Sequence, residues 1–243
     1  MSKKSAIFIP ARMASTRLPN KPLADICGKP MIIHVLERSR KANVEDVYVA
    51  CAEQEIADMV KKHGGHAIIT DPAHPSGTDR IYEALQKTGK NYDYIINVQG
   101  DLPLIEASVI NKAIDLVNKP EVNIATLAAV IKDKSEIANP NVVKAVIAFN
   151  EGGKAGRALY FTRATAPYGD GELYHHIGLY AYRREALESF VKLPPSPLEK
   201  REKLEQLRAL ENNMRIEVGI VDAVPLGVDT PEDLEKVKEI MGR

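Results

Sequence analysis

The chain has 243 residues, with 33 basic side chains balanced by 33 acidic ones, so no net positive field exists to hold a nucleic-acid backbone or an anionic membrane. Its two cysteines, Cys27 and Cys51, lack CxxC spacing, which excludes a disulfide framework and a metal or redox pair and fits reduced thiols in a cytoplasm. The apolar stretch before Pro10 is about four residues, short of the roughly 7 to 15 of a signal-peptide core, and no run approaches the ~20 apolar residues of a membrane span. A soluble, unexported protein with a small ligand is expected, and at this length one domain.

Short apolar runs alternate with segments of helical period, the pattern of βαβ units and a mainly parallel sheet. AIFIP (6–10) predicts the first strand, and Met31, Ile32, Val35 and Leu36 stripe the helix after it. DVYVAC (46–51) predicts a strand; Ile56, Met59, Val60 and His63 mark a helix stopped by Gly64 and Gly65. AIIT (67–70) and YIINVQGD (94–101) predict further strands, then a helix over 106–118 and a strand at 124–131. From about 140 the style changes. VVKAVIAFN, EGGKAG and RALYFTRA suggest antiparallel strands around a glycine-rich hairpin turn. The proline-rich LPPSPLEK (193–200) leads into one charged helix, EKREKLEQLRALENN, before a last strand, RIEVGIV, and a final helix.

In open parallel sheets, ligands sit beyond the carboxyl ends of the strands, so four loops carry the informative residues. IPARMASTRLPNKPL sets Arg12, Arg17 and Lys21 after the first strand. It matches neither GxGxxG nor a P-loop, so an anion there must be met by side-chain cations and backbone amides. HPSGTDR offers Ser76 or Thr78 as an N-cap and Gly77 for close backbone approach; an ordinary capped helix explains the same letters. NVQGD ends a buried strand on Asp101, where a carboxylate needs a cation nearby or serves only as a turn residue. In VDTPEDLEKV, Thr230, Pro231 and Asp233 form a capped helix start, which leaves Asp229 unexplained. Two carboxylates from distant strand ends are an economical clamp for Mg²⁺, whose other ligands come from water and phosphate.

IPARMASTRLPNKPL, HPSGTDR, NVQGDLP, YFTRATAP, HHIGLYAY, PSPLEKREKLEQLR and GVDTPEDLE, in this order over almost the whole chain, resemble the 3-deoxy-manno-octulosonate (Kdo) cytidylyltransferases of lipopolysaccharide synthesis. The resemblance implies an α/β fold: a three-layer, mostly parallel Rossmann-like sheet of the nucleotide-diphospho-sugar transferase type with a small antiparallel insert. It implies one domain over 1–243, with 157–195 as the contact region of a homodimer. Ala11, Arg12, Arg17, Lys21, Ser76, Gly77 and Thr78 would meet CTP; Asp101 and Asp229 would hold Mg²⁺. Gln99, Arg163, His176, Glu205 and Gln206 would line the sugar-acid pocket, and Lys21, Arg12, Asp101 and Asp229 would carry the chemistry.

Plain structural readings stand beside these. His176 could be a strand histidine facing solvent, and Glu205 and Gln206 an exposed helix face. Tyr160, Phe161, Tyr180 and Tyr182 read as sheet packing. Two departures from the family pattern are Leu102, where an acid often follows QGD, and Cys51–Ala52, where TD is common. Activation of 8-amino-Kdo or sialic acid is an alternative within the class, and a glycosyltransferase using QGD as its metal motif is one from outside it.

Overall fold

The computed structural model describes residues 3–14 and 17–242, so Ser15 and Thr16 of the basic loop lie outside the described residues. In chain order the strands and helices are β1 (Ser5–Ala11), β2 (Asp25–Ile26), β3 (Lys29–Pro30), α1 (Met31–Ser39), β4 (Asp46–Cys51), α2 (Gln54–Lys62), β5 (His66–Ile69), α3 (Gly77–Thr88), β6 (Tyr94–Asn97), α4 (Ala107–Val117), β7 (Ile124–Val130), α5 (Lys134–Ile137), β8 (Lys144–Phe149), β9 (Ala155–Thr162), β10 (Tyr174–Arg183), α6 (Arg184–Phe190), α7 (Pro197–Glu202), α8 (Leu207–Glu211), β11 (Ile216–Val221) and α9 (Pro231–Met241). A 3₁₀ turn at Lys21–Leu23 precedes β2. The chain divides into two compact units, Met1–Asn111 with Pro225–Arg243, and Lys112–Val224.

In the first unit the strand order is β5-β4-β1-β6, every pair parallel. Such strands are covered on both faces and read as continuous apolar runs, and β1 is buried along nearly its whole length. Its register sets Phe8 opposite Tyr48, and the two rings stack at 5.2 Å. Helix α2 buries Ile56, Ala57 and Val60 and stops at Gly64, whose φ of +68° is left-handed backbone that glycine adopts without strain. The strand expected over 94–101 pairs only through Asn97. Beyond it the chain turns, leaving the QGD segment as a loop.

Helix α9 begins as its letters predict. Thr230 and Asp233 close a capping box with Pro231 in the first turn. A small core of Ile26, Met31, Val228, Leu234 and Val237 ties this helix to the segment around β2 and the start of α1.

In the second unit the order is β10-β7-β11-β9-β8. Here β7 and β11 run parallel, whereas β10–β7, β11–β9 and β9–β8 are antiparallel. The β8–β9 hairpin turns through Gly152 and Gly153, both at positive φ, as the EGGKAG letters suggest. The charged helix expected over 199–213 is two helices. Ser196 and Glu199 form a capping box at the start of α7, and Lys203 ends it in the left-handed region at φ 56°, with its N–H and that of Leu204 both on the Glu199 carbonyl. Breaking the helix there lets Leu204 and Gln206 both turn inward, while Arg208 of α8 reaches back to Glu199 at 2.5 Å. Charge period alone carries no signal for that break.

Candidate active site

The basic loop, the α3 N-terminus, the QGD loop and the start of α9 close around a cavity of about 410 Å³ within the first unit. Its walls include Ala11, Arg12, Arg17, Lys21, Ser76, Gly77, Gln99, Asp101 and Asp229, so most of the residues expected to meet CTP are brought together. Thr78 is buried and does not line the cavity. Ser76, not Thr78, is the N-cap, accepting from the Asp79 N–H at 3.1 Å.

Lys21 is the centre. Its Nζ donates to Asp101 Oδ2 at 2.7 Å and to Asp229 Oδ1 at 3.1 Å. Burial pulls the Lys21 pKa down, but the two carboxylates outweigh it and the ammonium's pKa is raised. Arg17 meets the other Asp229 oxygen at 3.2 Å, while Arg12 has no ion-pair partner among the described residues. The two carboxylate loops are themselves tied by a backbone bond from the Val228 N–H to the Asp101 carbonyl, 2.9 Å. Asp101 and Asp229, 128 residues apart in the chain, thus face one cation.

That arrangement tests whether a divalent ion fits. Both carboxylates already share one positive charge, and no third His, Cys, Asp or Glu joins them among the described residues. This donor set suits Mg²⁺, which keeps waters and takes phosphate oxygens.

Gly100 sets where Asp101 stands. A Cβ there would lie 2.8 Å from the Pro10 carbonyl oxygen and 3.4 Å from Ile32 Cδ1. Gly100→Ala is therefore expected to push the loop off β1, costing about 1–3 kcal/mol of stability and about 100-fold in kcat through the misplaced carboxylate. Urea unfolding and turnover check both; wild-type kcat would show that the loop's position is immaterial.

Arg80 is a wall residue that the sequence reading passed over. It is buried on α3, and its Nη1 donates to Thr70 Oγ1 at 2.7 Å. Burial pulls its pKa down, Glu53 offsets this, and the nearby Arg12 charge pulls it down further. Guanidinium stays charged regardless, so two like charges converge where an anion is needed. The signal was an arginine one turn inside a capped helix, indistinguishable in the letters from a solvated one.

Leu102 is buried, and the nearest heavy atom to the place of a Cβ on Gly227 is its Cδ2, at 3.5 Å. It supports the Asp229 loop by packing, in place of a polar contact. Cys51 is fully buried at the end of β4; burial, then Glu53, pushes its thiol up to about 11, so it stays an unreactive thiol.

In the second unit His176 is buried, not solvent-facing. Its ring lies 4.8 Å from Phe161 and 5.6 Å from Tyr180, and burial, then the neighbouring His175, lowers its pKa to about 3. Tyr180 is raised well above its ordinary value, by burial first, then by Tyr182 and Glu205. Glu205 thus lies within electrostatic reach of the same aromatic cluster, and Gln206 is buried rather than part of an exposed face.

Arg163 donates from Nε to the Glu202 carbonyl at 2.8 Å, from Nη1 to that of Pro140 at 2.8 Å, and from Nη2 to that of Lys203 at 3.4 Å. Two of its five N–H groups therefore hold the chain that leads to Glu205, and a third holds the segment at Pro140. Its own carbonyl accepts from the buried Lys144 at 3.3 Å. Gln99 belongs to the first unit and lines the cavity there.

A cytidylyltransferase family model matches residues 6–216. The 3-deoxy-manno-octulosonate cytidylyltransferase of Parvibaculum lavamentivorans is 60% identical over 239 residues, 98% of this chain and 92% of its own length. The chain belongs to the 3-deoxy-manno-octulosonate cytidylyltransferase family. The relative from Rhodospirillum centenum is 57% identical over 97% of this chain and 92% of its own. A solved CMP:2-keto-3-deoxy-manno-octonic acid synthetase complexed with CTP superposes with a TM-score of 0.92 at 40% identity, covering 99% of both chains. A cytidylyltransferase from Leptospira borgpetersenii, 19% identical over 99% of this chain and 87% of its own, shares the fold at a TM-score of 0.64. Arg12, Arg17, Lys21 and Arg80 line a cavity whose volume is within the general range of small-molecule sites. No helix among the described residues is long and apolar enough to cross a membrane.

Proposed function

We propose that this protein transfers the CMP group of CTP to Kdo, giving CMP-Kdo and pyrophosphate for lipopolysaccharide biosynthesis in the cytoplasm. The observation that carries the reading is Lys21 bound to both Asp101 and Asp229 in a cavity also walled by Arg12, Arg17 and Arg80. Four cations around two carboxylates suit a polyphosphate plus a divalent metal, and little else of that charge pattern is expected of a small ligand.

The reaction is an in-line displacement. The anomeric hydroxyl of the sugar acid attacks the α-phosphorus of CTP and releases its proton to solvent water, the bond to the bridging oxygen breaks, and pyrophosphate departs. Arg12 and Lys21 neutralise charge growing on the leaving group, with Arg80 behind them. The α3 N-terminus, with Ser76 and Gly77 on the cavity wall, adds oriented backbone dipoles. Asp101 and Asp229 would hold Mg²⁺, which when bound would supply Lewis-acid charge to the phosphate and lower the pKa of the attacking hydroxyl. His176, Glu205, Gln206 and Arg163 orient the sugar acid, so the chemistry rests on positioning and charge without a dedicated side-chain base.

A homodimer through 157–195 belongs to the same reading, supported by Leu159 at 49% exposure and a fully exposed Tyr168. So does a three-layer arrangement of helices about the sheet. Pyrophosphate release with four nucleoside triphosphates, each crossed with Kdo, 8-amino-Kdo and sialic acid, tests the substrate. CTP with Kdo is expected to give the highest kcat/KM. Faster release with another sugar would change the assignment, and none with any free sugar would favour a glycosyltransferase.

A further inference from the structure

Strand β10 slips register against β7 between Ile177 and Tyr180, and that bulge leaves carbonyls that the ladder does not serve in the ordinary way. Thr126, fully buried on β7, fills the gap. Its Oγ1 lies 3.0 Å from the Ile177 carbonyl oxygen, 2.8 Å from that of Leu179, and 3.0 Å from His176 Nε2.

A hydroxyl has one hydrogen and two acceptor lone pairs. Were that hydrogen given to the imidazole, two carbonyl oxygens would stand within 3.0 Å of a third oxygen with no hydrogen between them, at a fully buried side chain. The hydrogen therefore goes to the carbonyls. The only remaining bond to His176 is one in which Nε2–H donates to Thr126. Burial that keeps this ring neutral then leaves Nδ1 as a bare lone pair, and Nδ1 makes no hydrogen bond among the described residues while the residue keeps 8% exposure.

We propose that Thr126 is a positioning residue that fixes His176 as the Nε2–H tautomer, so that Nδ1 accepts a hydrogen bond from a hydroxyl of the sugar acid and does not donate one to its carboxylate. The second half rests on the reading of His176 as a sugar-pocket residue; the first half stands on the bulge geometry and the burial of the ring. The carboxylate must then be met by groups that carry N–H donors, of which Arg163 has two left over.

Nitrogen-15 spectra of histidine-labelled wild-type protein decide the tautomer without any variant. A pyrrole-type Nε2 and a pyridine-type Nδ1 are expected for His176; the reverse overturns the proposal. Thr126→Val is expected to mix the tautomers and raise the sugar KM about tenfold, the loss of one hydrogen bond, with the CTP KM unchanged, and Thr126→Ser to restore both. Unaltered spectra in Thr126→Val overturn the role of Thr126. The expected tautomer with an unmoved sugar KM overturns instead the placement of His176 against the sugar. If Thr126→Val does not fold, monodeoxy sugars decide the second half. His176→Ala is then expected to lose the wild-type discrimination against one of them, and discrimination retained against all of them overturns the hydroxyl contact.

Discussion

Asp101→Asn and Asp229→Asn are each expected to lower kcat by about 10²–10³-fold while leaving the fold in place. Asn keeps the shape of Asp and removes its charge. The ion pairs that these carboxylates make with Lys21 and Arg17 are partly exposed, at 31% and 52% on the acidic side, so their contribution to stability is about 0–1 kcal/mol each. That shifts the melting midpoint by only about 2–4 °C in a chain of this size. Catalysis is another matter, because a divalent ion beside a triphosphate needs formal negative charge from the protein, and among the described residues the cavity offers two carboxylates. The larger loss is expected at Asp101, the less exposed of the two and the closer to Lys21. Pyrophosphate release and thermal unfolding on the same preparations check the split. Turnover near wild type in either variant, at intact fold, would remove that carboxylate from the metal and with it the proposed chemistry.

What the letters carried was whatever is decided locally. The capping box of α9 lies within four consecutive residues, 230–233, and was legible to the residue, as was β4; β1 was legible to within one residue at each end, and the glycine turn between β8 and β9 was legible too. Asp229 became suspect because every neighbour had a structural explanation and it had none. The break at Lys203 was hidden because its cause is a reach of Arg208 back to Glu199 together with inward packing of Leu204 and Gln206, not a Gly or Pro. Side-chain direction in β10 was hidden for a different reason. Adjacent strand residues face opposite ways, so of His175 and His176 one must point inward, and the sequence says nothing of which. Thr126 and Arg80 were invisible because a buried threonine in IATLAAV and an arginine in a capped helix look ordinary until a bulge from β10 or a second guanidinium is brought beside them. The role of Arg163 was the hardest to read, since its donors go to carbonyls of residues 140, 202 and 203, and backbone acceptors leave no trace in side-chain letters.

Lys21→Met separates two functions that one ammonium performs. Lys21 both neutralises Asp101 and Asp229 and faces the cavity where the triphosphate is proposed to lie. Were neutralisation its whole purpose, a divalent ion held by the same carboxylates would replace it, and the variant would turn over normally at saturating Mg²⁺. If Lys21 also stabilises charge on the departing pyrophosphate, kcat/KM for CTP stays about 100-fold down however much Mg²⁺ is added. The second outcome is expected, because a divalent ion that takes over Asp101 and Asp229 releases the Lys21 ammonium, whose flexible stem can turn its charge from carboxylate to phosphate. Metal affinity should move the other way. With the competing ammonium gone, the two carboxylates present uncompensated charge, so Mn²⁺ titrated without nucleotide is expected to bind the variant more tightly than wild type. Full recovery of turnover by Mg²⁺ would reduce Lys21 to a counter-ion; weaker Mn²⁺ binding would mean that the carboxylates need Lys21 to stay in place, and that the divalent ion does not sit where the ammonium does.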